Sequence, residues 1–485
     1  MAEKLKVVGS QNFAQGWVTA VPAHLIDEGA TPNVQNVDFS ESFGRLTKRR
    51  GHSLLLTARA GGSEKICGLY EFVNSAGTAR LVAATLDDIY EVTAPGTWTS
   101  IHTDSSLDGT PVQFETFNDL CIIVGEQLTS QKWTGTGATS ALGGTPPANV
   151  KHVQSHKRRL FMANSSAGTS RLHYSALDDA EDWTTVSDAG FIDINDRDGD
   201  VITGLCSLGS VLLIFKKRSI FALYGNSPSN FSIAQLSPSV GCANPKTIVK
   251  CDKFCIFLSA DGVYSCNDDG PVLLNYNIKP TIDAITDTAR GIAAAGKLRT
   301  QYWLAIDTDA DGVNDEVYVL DYVYGVWGRY TNKKEHVFYR RYNGTLISGG
   351  ADTDVIRLHD DTDNDNGSAI NMIWDTKDYD GEDWTVKKYL RDLKVVAEPI
   401  SAKAITISHL INGIVQGDTI TFTLTATSTE DKVYLGFTPA TNHHFPVGSN
   451  GQYFRFRFSN NQTSARVKLL GYSAGYLSDE RRTGA

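Results

Sequence analysis

At 485 residues the chain is too long for one small core and, at about 150 residues per domain, points to two or three units. Hydrophobic residues at 41% and charged residues at 21% match soluble globular domains and exclude wholesale disorder, and no apolar run reaches the roughly 20 residues that cross a bilayer. The net charge of −10 argues against broad adhesion to nucleic acid but does not exclude a channel through which DNA slides, where an acidic wall would prevent sticking.

Met1 to Ser10 carries Lys4 and Lys6 but neither a long apolar stretch nor a cleavage site, so folding in a cytosol is expected. Residues 1–62 hold few regular signals and read as an N-terminal arm that packs on something else. From there short apolar runs bounded by Gly, Asp, Asn and Ser recur, while helical periodicity is confined to one turn around Asn277 to Thr286. Within residues 63–366 a weak repeat emerges, a strand followed by a second strand with an apolar or aromatic anchor. The anchors Tyr90, Trp133, His173, Phe221, Tyr264, Tyr318 and Ile356 lie 43, 40, 48, 43, 54 and 38 residues apart. A four-stranded propeller blade takes about 40–50 residues, so the spacing predicts a β-propeller of six or seven blades.

After the acidic segment Asp360 to Gly367, whose run Asp361-Thr362-Asp363-Asn364-Asp365 reads as an interdomain linker, strands lengthen. Leu390 to Ala397, Ala404 to Leu410, Thr419 to Thr427 and Tyr453 to Phe458 predict a β-sandwich over residues 367–485. In the last of these Phe454, Phe456 and Phe458 share one face, with Tyr453, Arg455 and Arg457 on the other. The expected class is all-β throughout.

Chemistry-bearing motifs are sparse. Seven cysteines, several inside apolar strands such as Phe254 to Leu258, read as small core residues, and Cys251 with Cys255 is too widely spaced for a redox pair. Gly471-Tyr472-Ser473-Ala474-Gly475 matches a nucleophile elbow, but no histidine follows Ser473. Gly291 to Leu298 resembles a P-loop without the Ser or Thr that holds magnesium, and it leads into a strand. His152 and His156, in a strand, stand about 13 Å apart and without a zincin glutamate. The strongest ligand-like run is Asp307-Thr308-Asp309-Ala310-Asp311-Gly312-Val313-Asn314-Asp315, in which Asp307, Asp309, Asp311 and Asp315 can wrap calcium around the turn at Gly312. The same pattern suits an acidic hairpin turn, and it resembles the calcium hairpins of integrin propeller blades. Basic clusters at Lys48-Arg49-Arg50, Lys157-Arg158-Arg159, Lys216-Lys217-Arg218 and Arg340-Arg341 read as solvated turns or subunit contacts that DNA phosphates could also meet. No catalytic residue and no cofactor beyond calcium is expected, and no enzyme activity.

The runs Asp196 to Leu205, Val211 to Lys216 and Ser219 to Gly225, continued by Val240 to Ala243 and Phe257 to Tyr264, resemble the propellers of bacteriophage head-to-tail proteins. The opening, Leu25 to Gly29, Asn36-Val37 and Gly44 to Gly51, and the ending, Lys388 to Val396 and Gly471 to Arg482, are similar to the same family: the packaged-DNA stabilisation or tail nozzle proteins of short-tailed phages. That resemblance implies a hexameric ring below the portal and adaptor, surrounding the DNA exit channel, bound to tail fibre, spike or needle proteins and located in the virion tail after assembly in the host cytoplasm. It carries no reactive site. Two rival readings are a glycan-binding or glycan-degrading propeller, with Trp98, Trp133, Trp183 and Trp327 at strand ends, and a calcium-dependent adhesion module built on Asp307 to Asp315.

Overall fold

The computed structural model describes residues 5–56, 64–93, 96–350, 355–360, 362–399, 404–423, 433–435 and 450–478. Seven antiparallel four-stranded sheets follow one another along the chain. The fourth is typical. Ile202–Leu208 alternates buried and half-buried residues, Val211–Lys216 is buried throughout, and Ile220–Tyr224 and Ser232–Ser237 complete the blade. Every blade's second strand is an apolar run, as in Arg159–Ser165 and Gln301–Ile306, because the blades on either side cover both of its faces. All seven predicted anchors fall on the third strand of a blade, from Tyr90 in Asp88–Thr93 to Ile356 in Ile356–His359. Asp354, which precedes the last anchor, lies outside the described residues. Tight turns place two successive residues at positive φ, Asn118 and Asp119 at +47° and +60°, which suit it, and Lys157 and Arg158 at +48° and +61°.

Inner strands touch their neighbours around a central axis, and Glu335–Arg340 of the seventh blade returns to Gly68–Val73 of the first. The ring is closed by chain exchange: the outer strand of blade seven is His52–Leu56, paired with Ile356–His359. Helical structure sits between blades five and six, as Lys279–Asp283 and Asp287–Ile292, the latter capped by the Thr286 hydroxyl accepting from the Ala289 amide.

Among the described residues, the remaining strands form one short parallel pair, Gly16–Trp17 with Ala30–Thr31, and two facing sheets. In one, Lys388–Pro399 pairs with Val467–Ser478; in the other, Ala404–Ile411 lies between Ile414–Thr423 and Phe454–Asn460. Residues 424–427 of the expected long strand lie outside the described residues. The opening segment, read from sequence as an arm, is woven into this unit: Lys6–Ser10 and Leu46–Lys48 join the first sheet, and Val34–Gln35 joins the second. Phe13 is fully buried with its ring 5.0 Å from Trp374, and Trp17 packs on Tyr318 of blade six at 5.4 Å. One apolar core therefore runs continuously from blades five and six through the opening segment into the sandwich.

The basic clusters are not all solvated turns. Lys48 is buried and donates to the Asn460 side-chain oxygen at 2.8 Å, and buried Lys216 donates to both Asp198 oxygens at 2.7 and 2.8 Å. Arg159 and Arg49 are buried against Asp188 and Asp365. The acidic run read as a linker also has a packing role. Asp361 lies outside the described residues, but Asp365 accepts from Arg49 at 3.0 and 2.6 Å and bonds the His52 ring at 2.9 Å.

Candidate functional site

The acidic hairpin connects Gln301–Ile306 to Glu316–Asp321 in blade six. Asp307 is buried and accepts from the amides of Ala310 at 2.7 Å and Gly312 at 3.0 Å, bending the loop through positive φ at Ala310 (+64°) and Gly312 (+87°). Asp315 accepts from the Thr308 amide and hydroxyl, both at 2.7 Å. Ligand oxygens of Asp307, Asp309 and Asp315 lie within 4.8 Å of one another. The fourth sequence candidate, Asp311, is outside this group and instead caps the Val313 amide at 2.8 Å. Burial, and then repulsion from Asp311, Asp315 and Asp307, raises the Asp309 carboxyl above its ordinary value. Such crowding is what a hard cation would relieve.

The other sequence motifs find structural places. Ser473 lies in the middle of the strand Val467–Ser478, paired with Lys394 and Gly9, so Gly471 to Gly475 is no elbow. Gly291 ends a short helix and Ala294–Leu298 is the inner strand of blade six, the reverse of a P-loop's order. His152 and His156 sit at opposite ends of one inner strand, bonded to Gln113 and to Ser207. All seven cysteines are buried and unpaired.

A second site was invisible in the sequence. The inner strands enclose a cavity of about 290 Å³ on the propeller axis, lined among others by Tyr70, Gln113, Glu115, Lys246 and Tyr339. Glu115 accepts from the Gln154 side chain at 3.1 Å and the Ser155 amide at 3.0 Å. Burial outweighs those bonds and pushes its carboxyl up to about 7. Near the end where the inner strands begin, Lys246 donates to the His336 ring and carbonyl, both at 3.3 Å. Burial, with repulsion from Lys65, holds this ammonium down at about 8, and burial with Lys246 and Lys65 drives His336 down to about 3. Tyr70 and Phe114 stack at 5.9 Å, with Tyr339 5.3 Å from Tyr70. The cavity thus offers a carboxyl poised between protonation states, a lysine ammonium and aromatic walls, the composition of a site for a small polar molecule.

These features define a seven-bladed β-propeller protein closed by its own opening strand and carrying a β-sandwich built from both ends of the described chain. No protein-family model matches the chain, and no curated protein matches it. Among solved structures it is similar to virginiamycin B lyase from Staphylococcus aureus, at 13% identity and a TM-score of 0.41 over 63% of this chain and 97% of that one. It is also similar to the WD40 domain of Neurospora crassa Pan2, at 10% and 0.41 over 65% and 96%. The WD40 propeller domain of Doa1 gives 11% and 0.43 over 64% and 96%. Likenesses this slight carry nothing about activity.

Proposed function

We propose that this chain is a virion structural protein of a short-tailed bacteriophage, a ring-forming tail nozzle below the portal and adaptor that extends the DNA exit channel, retains the packaged genome and anchors fibres, spike or needle. The observation that carries the reading is the run Asp196 to Gly225, within the stretch Asp193 to Tyr264 where the resemblance to that family is densest, together with what its residues do. Asp198 neutralises buried Lys216, and Asp200 accepts from the amides of Lys217 and Arg218 at 3.0 Å each and the Ser219 hydroxyl at 3.1 Å. The motif is a fastening of the blade-four hairpin, so the shared residues are architectural rather than reactive.

The fold suits that role. Ring closure by an exchanged strand and a core shared with the sandwich make one stiff body, the requirement for a closed cyclic assembly with heterologous contacts. Exposed apolar groups remain for such contacts, among them Tyr324 stacked on Phe43 at 3.9 Å and Val323 beside them, 60% exposed. DNA would pass between subunits. A cavity of about 290 Å³ lined by Tyr70, Phe114 and Tyr339 cannot admit a duplex whose major groove alone is about 12 Å wide. Electron micrographs of the purified protein and of virions test the reading: a six-fold ring at the tail supports it, and a protein that stays monomeric at high concentration and is missing from virions overturns it.

The adhesion alternative draws on one specific observation, the convergence of Asp307, Asp309 and Asp315. Chelator-sensitive binding to a cell surface, with no ring, would favour it.

A further inference from the structure

We infer that the cleft between the opening segment and the sandwich, walled by Trp384 and Tyr453, binds a neutral saccharide. Of the eight tryptophans six are buried and Trp98 is half-buried; Trp384 alone is exposed, at 68%. Tryptophans are on average well buried, and this one stands on a cleft of about 490 Å³, a volume in the range of small-molecule sites. Tyr453, Asp380, Gln452 and His24 line the same cleft.

The loop that carries the indole is pinned in place. Two successive side-chain caps shape it: Asp380 accepts from the Glu382 amide at 3.1 Å, and Asp383 accepts from the Thr385 amide at 2.9 Å and its hydroxyl at 2.6 Å. Buried Lys388 donates to the carbonyls of Asp383 and of Gln452, the latter at 2.9 Å, so one ammonium ties the Trp384 loop to the Gln452 segment. The Tyr379 amide donates to the Phe454 carbonyl at 2.8 Å and the Phe454 amide to the Tyr379 carbonyl at 3.1 Å, which sets Asp380 beside Tyr453. The Asp378 amide, donating to the Ala23 carbonyl at 3.0 Å, brings in His24 from the opening segment. A wall fixed before the guest arrives spares the ordering cost of binding.

The polar groups decide the class of guest. Asp378, also in the cleft, has both oxygens taken by Arg455, at 2.9 and 2.7 Å, and so contributes a charge-neutral floor. Among the described residues no lysine or arginine lines the cleft, which leaves a phosphate or carboxylate without a partner there. A purely apolar guest would strip water from Asp380 and return nothing. What remains for a guest is an aromatic face with an acceptor in the second Asp380 oxygen, donor and acceptor in the Gln452 amide, and the Tyr453 hydroxyl, none of them hydrogen-bonded to another described residue. A pyranose has the matching surface: its C–H face packs on an aromatic plane while its hydroxyls point outward, each able to donate and to accept.

The test applies the full chain to an array of neutral and acidic bacterial oligosaccharides and titrates those retained by isothermal calorimetry. A neutral oligosaccharide should bind saturably, with the same affinity from about 0.05 to 0.5 M salt because no ion pair forms. Trp384→Ala removes the stacking face, and Asp380→Asn exchanges the charged acceptor for an amide while keeping an oxygen to cap Glu382; each should weaken binding about tenfold or more. Both variants should melt as the parent does, which separates lost binding from lost folding. Tyr342→Ala, which removes an exposed ring elsewhere, should bind like the parent. Retention of no oligosaccharide, equal binding by Trp384→Ala and the parent, or retention of acidic oligosaccharides alone with loss in high salt overturns the proposal. So does concentration-dependent association of the parent that Trp384→Ala abolishes in the absence of any glycan binding, which would make the indole a subunit contact and leave the ring reading standing without the saccharide site.

Discussion

The most informative perturbation is Asp365→Asn, because Asp365 joins both ends of the propeller. Its carboxylate takes two bonds from Arg49, which is 2% exposed, one from the His52 ring, and stands 3.3 Å from the ammonium of Lys333, which is 1% exposed. His52 opens the strand that closes blade seven, so the cluster locks the ring. Burial would raise the Asp365 carboxyl, but the His52 bond, Lys333 and Arg49 overcome it and hold it far below the ordinary carboxylate range. Removing one partner of a buried pair costs about 3–5 kcal/mol. Lys333 is already held down at about 8, chiefly by burial, and sheds its proton more easily once Asp365 is gone, which places the loss at the low end of that range near neutral pH and shrinks it further above pH 8. With an unfolding entropy of about 2.1 cal/mol/K per residue over a propeller of roughly 300 residues, 3–4 kcal/mol lowers the melting temperature by about 5–6 °C. The sign with pH follows from the depressed carboxyl: its stabilisation is present above the unfolded value near 3.8 and is lost as pH falls toward the folded value. Scanning calorimetry from pH 3 to 8 should therefore show an acid limb in the parent that is shallower in Asp365→Asn. A melting temperature within about 1 °C of the parent, or an unchanged acid limb, would refute the reasoning.

Four further outcomes are expected. Asp200→Ala frees the Lys217–Ser219 turn and should cost about 2–3 kcal/mol, visible as a lower denaturation midpoint with unchanged slope. Phe13→Ala removes a fully buried ring from the shared core, at about 3–5 kcal/mol, and limited proteolysis should then cut within the first fifty residues. Calcium should raise the melting temperature of the parent and of Asp311→Asn but not of Asp315→Asn, because Asp311 lies outside the converging carboxylates; no calcium-dependent heat in the parent discards the site. Glu115→Gln should gain stability relative to the parent as pH rises from about 4.5 through 7. A carboxyl raised to about 7 in the fold favours the protonated state there, so the parent loses that advantage on ionising, by an amount on the order of 3 kcal/mol. Equal pH profiles for the two proteins would show that Glu115 ionises freely in the cavity.

The repeat was legible because third strands carry the large anchors. Tyr90, Trp133, Tyr264 and Tyr318 recur at blade spacing, and burial between blades selects bulky apolar residues there whatever the rest of the blade contains. The cavity was illegible for the converse reason. Tyr70, Glu115, Lys246 and His336 precede the anchors Tyr90, Trp133, Tyr264 and Ile356 by 18 to 20 residues, a phase that the sequence contains, but their residue types share nothing until seven inner strands meet on one axis. Asp307, Asp309 and Asp315 were found because a single hairpin holds all three; Asp311 was included because spacing alone cannot say which carboxylates turn inward.

By itself the sequence determined the all-β class, the blade period and the alternating sandwich strand at Phe454, Phe456 and Phe458, since each follows from local periodicity and burial of one face. Only the tertiary structure decided that the opening segment threads both units, that His52–Leu56 closes the ring and that Asp365 clasps Arg49, His52 and Lys333. These are pairings between residues hundreds of positions apart, and their energy comes from partners that exist only once the chain has folded back on itself.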